Sequence, residues 1–387
     1  MPFVKKTEIA KIRELLLSIG DITEQQEIQR LSNRALSVLQ GRHKETGYEG
    51  GQMLASAPQK PRNHGRDTTR IFFASDIHGS ESCFKKFINS ARFYDVDVLI
   101  LAGDLTGKGI VPFVELKDGS YEIQYMGNRH RIRSRKKLSE MRESVRESGF
   151  YPFFTNSSEL NQLKDDQKKT DRLFVDLMIE TLRRWMAFAD TKLSAMDIEC
   201  YVSPGNDDFF EIDTVIGESK VFSNPDGRVV KIADRYEMIT LSYSNPSPWN
   251  LPRDTSEDDL SRRINELASS LVDFPNSIFN FHCPPYGSGL DMGPIIEPRF
   301  VKSLATRMPK ARSIGSTPIG SRAVRNAIRQ YQPLVSLHGH VHESRGSCRI
   351  GRTMCFNPGS EYSEGLLLGL ILDISSQGSV NYVFTSG

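Results

Sequence analysis

The sequence lacks the cysteine spacing of a disulfide framework or a cysteine-ligated zinc site. Its five cysteines are an odd number, and no two of them form a C-x-x-C pair. Disulfide-rich domains and structural zinc sites depend on such spacing. We therefore predict a protein of a reducing compartment.

Long apolar runs are missing as well. No stretch of about 18 consecutive apolar residues occurs, and the first residues carry no apolar segment of the kind that a signal peptide contains. We therefore expect a cytoplasmic protein without a membrane span.

An excess of charge of either sign is also absent. The formal net charge is +2, with 25% charged and 38% hydrophobic residues, which is ordinary for a globular protein. This balance indicates no particular partner. We find no internal repeat and no low-complexity tract, and 387 residues exceed what one core usually fills. One large domain with appendages is the expectation.

The order of predicted elements indicates four segments. Residues 1–69 contain two amphipathic helices and a linker; the helices either dock on the main domain or join two copies as a homodimer. Residues 70–111 begin the core and residues 197–387 complete it. Between them, residues 112–196 show hairpin turns at Asp118-Gly119 and Gly127-Asn128, then helices over 134–148 and 167–195. An insertion at this point would overhang the strand ends, so we predict a cap.

The sequence does contain five short apolar runs, and each of them ends in a polar motif. Such runs are typical of strands buried on both faces, and α/β sheets carry their chemistry at the carboxyl ends of the strands. The motifs are Asp76-Ile77-His78, Gly103-Asp104, Gly205-Asn206, His282 and Gly339-His340-Val341-His342.

The polar residues of these motifs are two carboxylates, one amide and four imidazoles, without a thiolate. They are Asp76, His78, Asp104, Asn206, His282, His340 and His342. This donor set suits Mn²⁺, Fe or Zn²⁺ better than Ca²⁺, and seven ligands suffice for two metals. Any one motif alone would more often be a turn, a helix cap or an isolated histidine. The five together favour a metal site, since they contain four of the eight histidines.

The five motifs, in this order, resemble those of the calcineurin-like metallophosphoesterase family. The resemblance covers residues 70–109 and 197–374. It implies an α/β fold in which a two-sheet β sandwich is flanked by helices. It also implies one metal held by Asp76, His78 and His342, a second held by Asn206, His282 and His340, and Asp104 bridging the two.

The resemblance further implies a dinuclear metal-dependent phosphoesterase, in which a metal-bridging hydroxide attacks the phosphate ester. Asp104 and Asn206 would then be catalytic. The next residue, Asp207, is a histidine in many family members, where it contacts phosphate or protonates the leaving group. Here Asp207 is either catalytic or a turn residue. Without that acid, a diester with a good leaving group is a better substrate than a monoester, so we expect a phosphodiesterase, with a phosphomonoesterase or nuclease as alternatives.

The expected cofactors are two divalent ions, Mn²⁺ foremost, with Fe or Zn²⁺ as alternatives. Arg322 at a helix start is a candidate for binding substrate, although a plain serine cap fits that motif equally well. Arg131 and Arg133 lie in a run of six cations within residues 129–137, which could guide a nucleotide or nucleic acid or simply face solvent. A catalytically silent metal-binding scaffold is the competing class, and the complete set of seven residues disfavours it.

Overall fold

Two six-stranded sheets lie at the centre of the computed structural model, which describes residues 67–297 and 312–387. The predicted amino-terminal helices, most of the linker and the dimer contact assigned to them lie outside these residues. In the described part of the chain, no helix combines the length and the apolar character that a membrane crossing requires.

The strands and helices are numbered here in chain order within the described residues. The strands are β1 (Thr68–Ser75), β2 (Val98–Ala102), β3 (Gly109–Glu115), β4 (Tyr121–Tyr125), β5 (Asn128–Ile132), β6 (Phe150–Asn156), β7 (Glu199–Ser203), β8 (Phe222–Ser223), β9 (Val229–Ile232), β10 (Tyr236–Leu241), β11 (Ser277–Phe281), β12 (Met292–Glu297), β13 (Arg312–Pro318), β14 (Val335–Leu337), β15 (Gly346–Ile350), β16 (Thr353–Asn357), β17 (Leu368–Ser375) and β18 (Val380–Ser386). The α-helices are α1 (Glu81–Phe93), α2 (Arg135–Glu147), α3 (Ser157–Asp165), α4 (Gln167–Leu193), α5 (Glu211–Gly217), α6 (Glu257–Ala268) and α7 (Arg322–Tyr331).

Each sheet has a parallel centre and antiparallel strands at an edge. The first runs β18-β17-β1-β2-β7-β8, with β1, β2, β7 and β8 parallel. The second runs β15-β16-β14-β11-β10-β9, with β16, β14, β11 and β10 parallel. Their central strands read as continuous apolar runs because both faces are covered. Parallel pairing brings the carboxyl ends of these strands to one edge of each sheet.

The two sheets pack face to face, and helices cover their outer faces. The core between the sheets joins Phe73 and Ile100 of the first to Met238 and Leu337 of the second. The outer face of the first sheet packs against α1, α4 and α5, and that of the second against α6 and α7. The predicted architecture, a two-sheet sandwich flanked by helices, is confirmed.

The segment between β2 and β7 forms a small sheet of its own, in the order β5-β4-β3-β6. Its core is modest and includes Phe113, Ile123 and Val145. The two predicted hairpin turns and the predicted helix over 134–148 agree with the structure, where Ser134 caps α2. The prediction did not include β6 or α3.

The longest helix among the described residues, α4, was predicted to belong to a cap over the strand ends, but it packs in the main core. Its apolar side, including Met178, Leu182 and Trp185, packs in the main core, and the Trp185 ring stacks on Phe84 of α1 with centroids 4.5 Å apart. The helix is therefore part of the layer that covers the first sheet. It also touches the small sheet, since the Phe174 ring lies 5.4 Å from the ring of Tyr151 in β6.

Candidate metal centre

The seven predicted residues follow five parallel strands, namely β1, β2, β7, β11 and β14. The chain bends sharply where it leaves three of these strands. Asp76, His78, Asp104 and His340 have positive φ values of 56°, 39°, 47° and 65°. Such conformations are unfavourable for residues with a side chain, and they cluster at functional sites. Here they turn the side chains toward one another.

Two motif glycines permit the close approach of these loops. A Cβ on Gly103 would collide with the His282 ring, and one on Gly205 would collide with the carboxylate of Asp104. Gly103 also has a φ of 82°, which glycine adopts at low cost. These two glycines therefore make room for candidate ligands that follow other strands, His282 after β11 of the second sheet and Asp104 after β2 of the first.

A first group of donor atoms belongs to Asp76, His78, Asp104 and His342, and all of them lie within 4.8 Å of one another. The Nε2 atoms of His78 and His342 are 2.9 Å apart. Nε2 of His78 lies 3.6 Å from Oδ2 of Asp104, and Nε2 of His342 lies 3.5 Å from Oδ1 of Asp76. Three of these residues are buried, and His342 is partly exposed.

A second group combines Asp104 with His282 and His340, and the amide oxygen of Asn206 lies between the two rings. That oxygen is 3.1 Å from Nε2 of His282 and 3.0 Å from Nδ1 of His340. Nε2 of His282 is 3.4 Å from Oδ1 of Asp104. Asp104 thus directs one carboxylate oxygen at each group.

The donor set fits two divalent cations. Two imidazole nitrogens facing each other at 2.9 Å can share at most one proton, whereas a cation can accept lone pairs from both. Buried charges need a counter-charge or a metal, and two carboxylates converge here at 1% and 4% exposure. Nitrogen and oxygen donors without thiolate suit Mn²⁺, Fe or Zn²⁺. We therefore regard both groups as candidate metal sites.

The charges within the cluster shift its pKa values in opposite directions. Burial opposes ionisation of Asp104, but the adjacent His282 and His78 hold its pKa well below the usual range. Burial likewise opposes the charged form of His282, yet Asp104 and Asp76 raise its pKa to about 9. Burial lowers the pKa of His340 to about 4. The carboxylates are thus available as anionic ligands, and His340 as a neutral one.

Asp207 lies at the edge of the first group and pairs with Lys108, which belongs to none of the five motifs. The backbone N–H of Asp207 donates to Oδ1 of Asp104 at 3.0 Å. Burial disfavours the ammonium of Lys108, but Asp207 and Asp104 raise its pKa above the ordinary value. The negative charge of Asp207 is therefore balanced by a cation. A lysine four residues after Asp104, in the same loop, was the available sequence signal.

Two further neighbours were also not predicted from the sequence. The ring of Tyr362 lies 4.7 Å from the His78 ring and 5.8 Å from the His342 ring. It follows the Asn357-Pro358-Gly359-Ser360 turn by two positions. On the other side of the site, Asp254 accepts a hydrogen bond from Nδ2 of Asn206 at 2.8 Å. No motif marks either residue.

Asp208, by contrast, has a structural role. Its carboxylate accepts hydrogen bonds from the backbone of Gly205, Leu105 and Thr106, at 2.8 to 2.9 Å, and from the Thr106 hydroxyl at 2.6 Å. These bonds join the loop after β2 to the loop after β7, and thus hold Asp104 beside Asn206.

The three arginines suggested for substrate lie outside both groups. Arg131 and Arg133 are exposed on and after β5, and both pair with Asp118. Arg322 begins α7, where its guanidinium stacks on Tyr286, 4.2 Å from the ring centroid. The N-terminus of that helix already binds the carboxylate of Glu257, which accepts from the backbone N–H of Arg322 at 3.0 Å. A role for these arginines in substrate binding stays a prediction.

Comparisons with known proteins give distant matches. No protein-family model matches the chain. A segment of 165 residues, 42% of the chain, is 26% identical to the uncharacterized protein MJ1162 of Methanocaldococcus jannaschii and spans 64% of that protein's length. The chain therefore matches less than two thirds of this relative.

Solved structures similar to the chain include TT1561 of Thermus thermophilus, with a TM-score of 0.43 and 15% identity over 82% of this chain and 98% of that one. A novel archaeal phosphodiesterase matches with a TM-score of 0.31 and 11% identity, over 82% of this chain and 100% of that one. The phosphoesterase YfcE of E. coli matches with a TM-score of 0.28 and 11% identity, over 81% of this chain and 98% of that one. At these TM-scores the function has to be argued from the site itself.

Proposed function

We propose that this protein is a dinuclear metal-dependent phosphoesterase of the calcineurin-like type, acting foremost on phosphodiesters. The observation that carries the proposal is the position of Asp104. Its two carboxylate oxygens face two separate donor groups, one with His78 and the other with His282. A carboxylate shared in this way is what a pair of cations a few ångströms apart requires.

In the proposed assignment Asp76, His78 and His342 hold one cation, and Asn206, His282 and His340 hold the other, with Asp104 shared. Two bound cations lower the pKa of water and neutralise charge that develops on a phosphoryl group. Mn²⁺ is our first choice, with Fe or Zn²⁺ as alternatives, because the set contains four imidazoles and no thiolate.

The protein's own contribution is to orient these groups and to place positive charge beside Asp104. Lys108 lies against Asp207, next to Asp104, where an ammonium can donate a hydrogen bond to a phosphoryl oxygen. We propose that Lys108 and Asp207 act together as this contact, with Asp207 orienting the lysine.

The preference for diesters follows from position 207. A carboxylate paired with a lysine is a poor proton donor at neutral pH, so a leaving group that departs without a proton is favoured. The proposed substrate is a phosphate ester with such a leaving group, which includes nucleotide derivatives and nucleic acid. Arg131 and Arg133 are the proposed contacts if the substrate is a nucleic acid.

Hydrolysis of two chromogenic substrates tests the proposal. The metal-stripped protein receives Mn²⁺, Fe²⁺ or Zn²⁺ and is assayed with bis-p-nitrophenyl phosphate and p-nitrophenyl phosphate. We expect metal-dependent turnover that is faster with the diester and that falls about 100-fold or more in Asp104→Ala. Glu218→Ala is the matched control, since this exposed residue pairs with Arg183 away from the site.

The other outcomes separate the alternatives. Faster turnover of the monoester would support a phosphomonoesterase, and turnover of nucleic acid alone would support a nuclease. If the protein binds two ions per chain but hydrolyses nothing with any of the metals, the scaffold hypothesis replaces ours.

A further inference from the structure

The side chain of Asn206 lies between the second donor group and a carboxylate behind it. Its Oδ1 faces His282 and His340 at 3.1 and 3.0 Å, and its Nδ2 donates to Oδ1 of Asp254 at 2.8 Å. We propose that Asp254 is a positioning residue that fixes the amide oxygen of Asn206 toward the second cation. This inference rests on the proposed function, because it assumes that the second group binds a metal.

The two side chains differ in their hydrogen-bonding chemistry. An ionised carboxylate can only accept hydrogen bonds, whereas an amide has one accepting and one donating end. Facing Asp254, the amide of Asn206 is favourable in one orientation only, with its NH₂ toward the carboxylate. The oxygen then points at the donor group. Without this constraint, the two orientations of an amide are nearly equal in shape.

Asp254 is itself held in place. Its second oxygen, Oδ2, accepts hydrogen bonds from the Ser247 N–H at 3.0 Å, the Ser247 hydroxyl at 2.6 Å and the Leu251 N–H at 3.0 Å. These three donors all come from the loop of residues 244–254, which follows β10. The carboxylate therefore cannot turn away from Asn206 without breaking the loop's own hydrogen bonds.

The same loop contacts other parts of the second group. The Ser244 hydroxyl lies 3.3 Å from Nε2 of His340. The other ring nitrogen, Nδ1, is therefore the one that faces the second donor group. The Arg253 N–H donates to the backbone carbonyl of Asn206 at 3.1 Å. Among the described residues, no hydrogen bond joins this loop to Asp76, His78 or His342. The loop thus supports one candidate metal site and not the other.

The substitution Asp254→Asn tests this directly because it changes no volume. The new amide has one oxygen, and three loop donors compete for it, so its NH₂ is expected to face Asn206. Two NH₂ groups cannot bond to each other, so Asn206 turns over and presents its own NH₂ to the second group. Loss of such an outer contact typically weakens a metal site by about 10- to 100-fold.

The readout is cation binding, measured by calorimetric titration of the metal-stripped full-length protein with Mn²⁺ and by metal analysis after gel filtration. We expect two Mn²⁺ ions per chain in the wild type. In Asp254→Asn the affinity for one ion falls about 10- to 100-fold, while the affinity for the other stays unchanged, which also shows that the variant is folded. The matched control is Asp259→Asn on α6, where the partly exposed carboxylate pairs with Arg262 and Arg263; it should bind two ions as the wild type does.

An exchange of the two residues separates positioning from a general structural role. In the double variant Asn206→Asp, Asp254→Asn, the new carboxylate presents an oxygen to the second group and accepts the NH₂ of residue 254. The amide oxygen of residue 254 still serves the loop. We expect this exchange to restore the second ion, which a variant damaged only in its loop would not regain.

Each remaining result counts against a distinct claim. Two ions bound with wild-type affinity by Asp254→Asn would overturn the role of Asp254 and leave the proposed function intact. Fewer than two ions in the wild type would overturn both. Should Asp254→Asn fail to fold, the double variant Asn206→Asp, Asp254→Asn provides the test by itself. Two bound ions in the double variant would support the positioning role of residue 254, and one bound ion would overturn it.

Discussion

Position 207 is where the residues of this site depart most from what the resemblance implies. An aspartate stands where many calcineurin-like enzymes have a histidine, and Lys108 pairs with it. In the proposed function, the pair would keep the carboxylate from repelling a phosphoryl group, with the ammonium near Asp104. Neither residue would serve this purpose alone, because a lone carboxylate repels the substrate and a lone buried ammonium is unfavourable.

Replacing Lys108 by methionine should therefore lower kcat/KM for bis-p-nitrophenyl phosphate by about 10- to 100-fold, the range expected for one lost charge-assisted hydrogen bond. Asp207→Asn alone should also slow the reaction. In the double variant the two losses should not add, because the residues act as a unit. Steady-state kinetics of the four proteins measures the coupling, and simple additivity would show that the two residues act independently.

The close approach of Gly205 to Asp104 can be tested by adding a single methyl group. A Cβ there would collide with the backbone N and the carboxylate of Asp104, whereas a Cβ on Gly217, at the end of α5, has no atom within 4 Å. We expect Gly205→Ala to weaken Mn²⁺ binding by about 10-fold or more, as a displaced ligand would, and Gly217→Ala to leave it unchanged. Equal Mn²⁺ affinities of the two variants in a calorimetric titration would contradict the tight packing of the G-N and G-D motifs.

At the scale of elements, local sequence signals predicted local structures well. The Asp118-Gly119 and Gly127-Asn128 turns fixed the β3–β4–β5 meander, and Ser134 with Gly149 bounded α2. The strand β6 was missed because Pro152 interrupts its apolar run, and its parallel pairing with β3 joins residues about 40 positions apart. Such contacts leave little trace in a local pattern.

The packing of α4 shows the same limit, since its length and apolar side were predicted but the surface it covers was not. If α4 belongs to the main core, Trp185→Ala should destabilise the whole domain by about 3–5 kcal/mol. Ile123→Ala in the small sheet should cost less than that and leave the main unfolding transition in place. Urea unfolding followed by circular dichroism compares the two.

The matched control for this comparison is Phe93→Ala, because this aromatic at the end of α1 is 76% exposed and its loss should change stability by about 0.5 kcal/mol or less. If Trp185→Ala left the main unfolding transition unchanged, the packing of α4 in the main core would be contradicted, and the prediction that α4 belongs to a cap would stand.

At the scale of the whole molecule, the apolar runs that end in polar motifs predicted the buried strands, whereas the two-sheet sandwich was an implication of the family resemblance. The rule that parallel strands end at one edge of their sheet does not by itself explain the meeting of Asp76 and His342, 266 positions apart, because β1 and β14 belong to different sheets. The face-to-face packing of the two sheets brings the two edges together. Ligation by these residues stays a prediction. Lys108, Tyr362 and Asp254 were not found because each lies in an irregular segment or a single helical turn between strands, and the path of such a segment is not encoded in a periodic pattern.

Metal binding should also stabilise the folded protein as a whole. A cation that binds only the native state adds about 2.7 kcal/mol at a concentration 100 times its Kd. We expect the Tm of the metal-stripped protein to rise on addition of Mn²⁺, and to rise clearly less in His282→Ala, which keeps the first group intact. Differential scanning calorimetry measures both, and an equal rise in the two proteins would argue against a second site.

Calorimetric titration of metal-stripped wild type and Asp104→Ala with Mn²⁺ tests directly whether Asp104 is shared by two cations. We expect two ions per chain in the wild type and weaker binding at both sites in the variant, because Asp104 directs one oxygen at each group. A single ion in the wild type, or one ion retained by Asp104→Ala with wild-type affinity, would contradict a shared carboxylate.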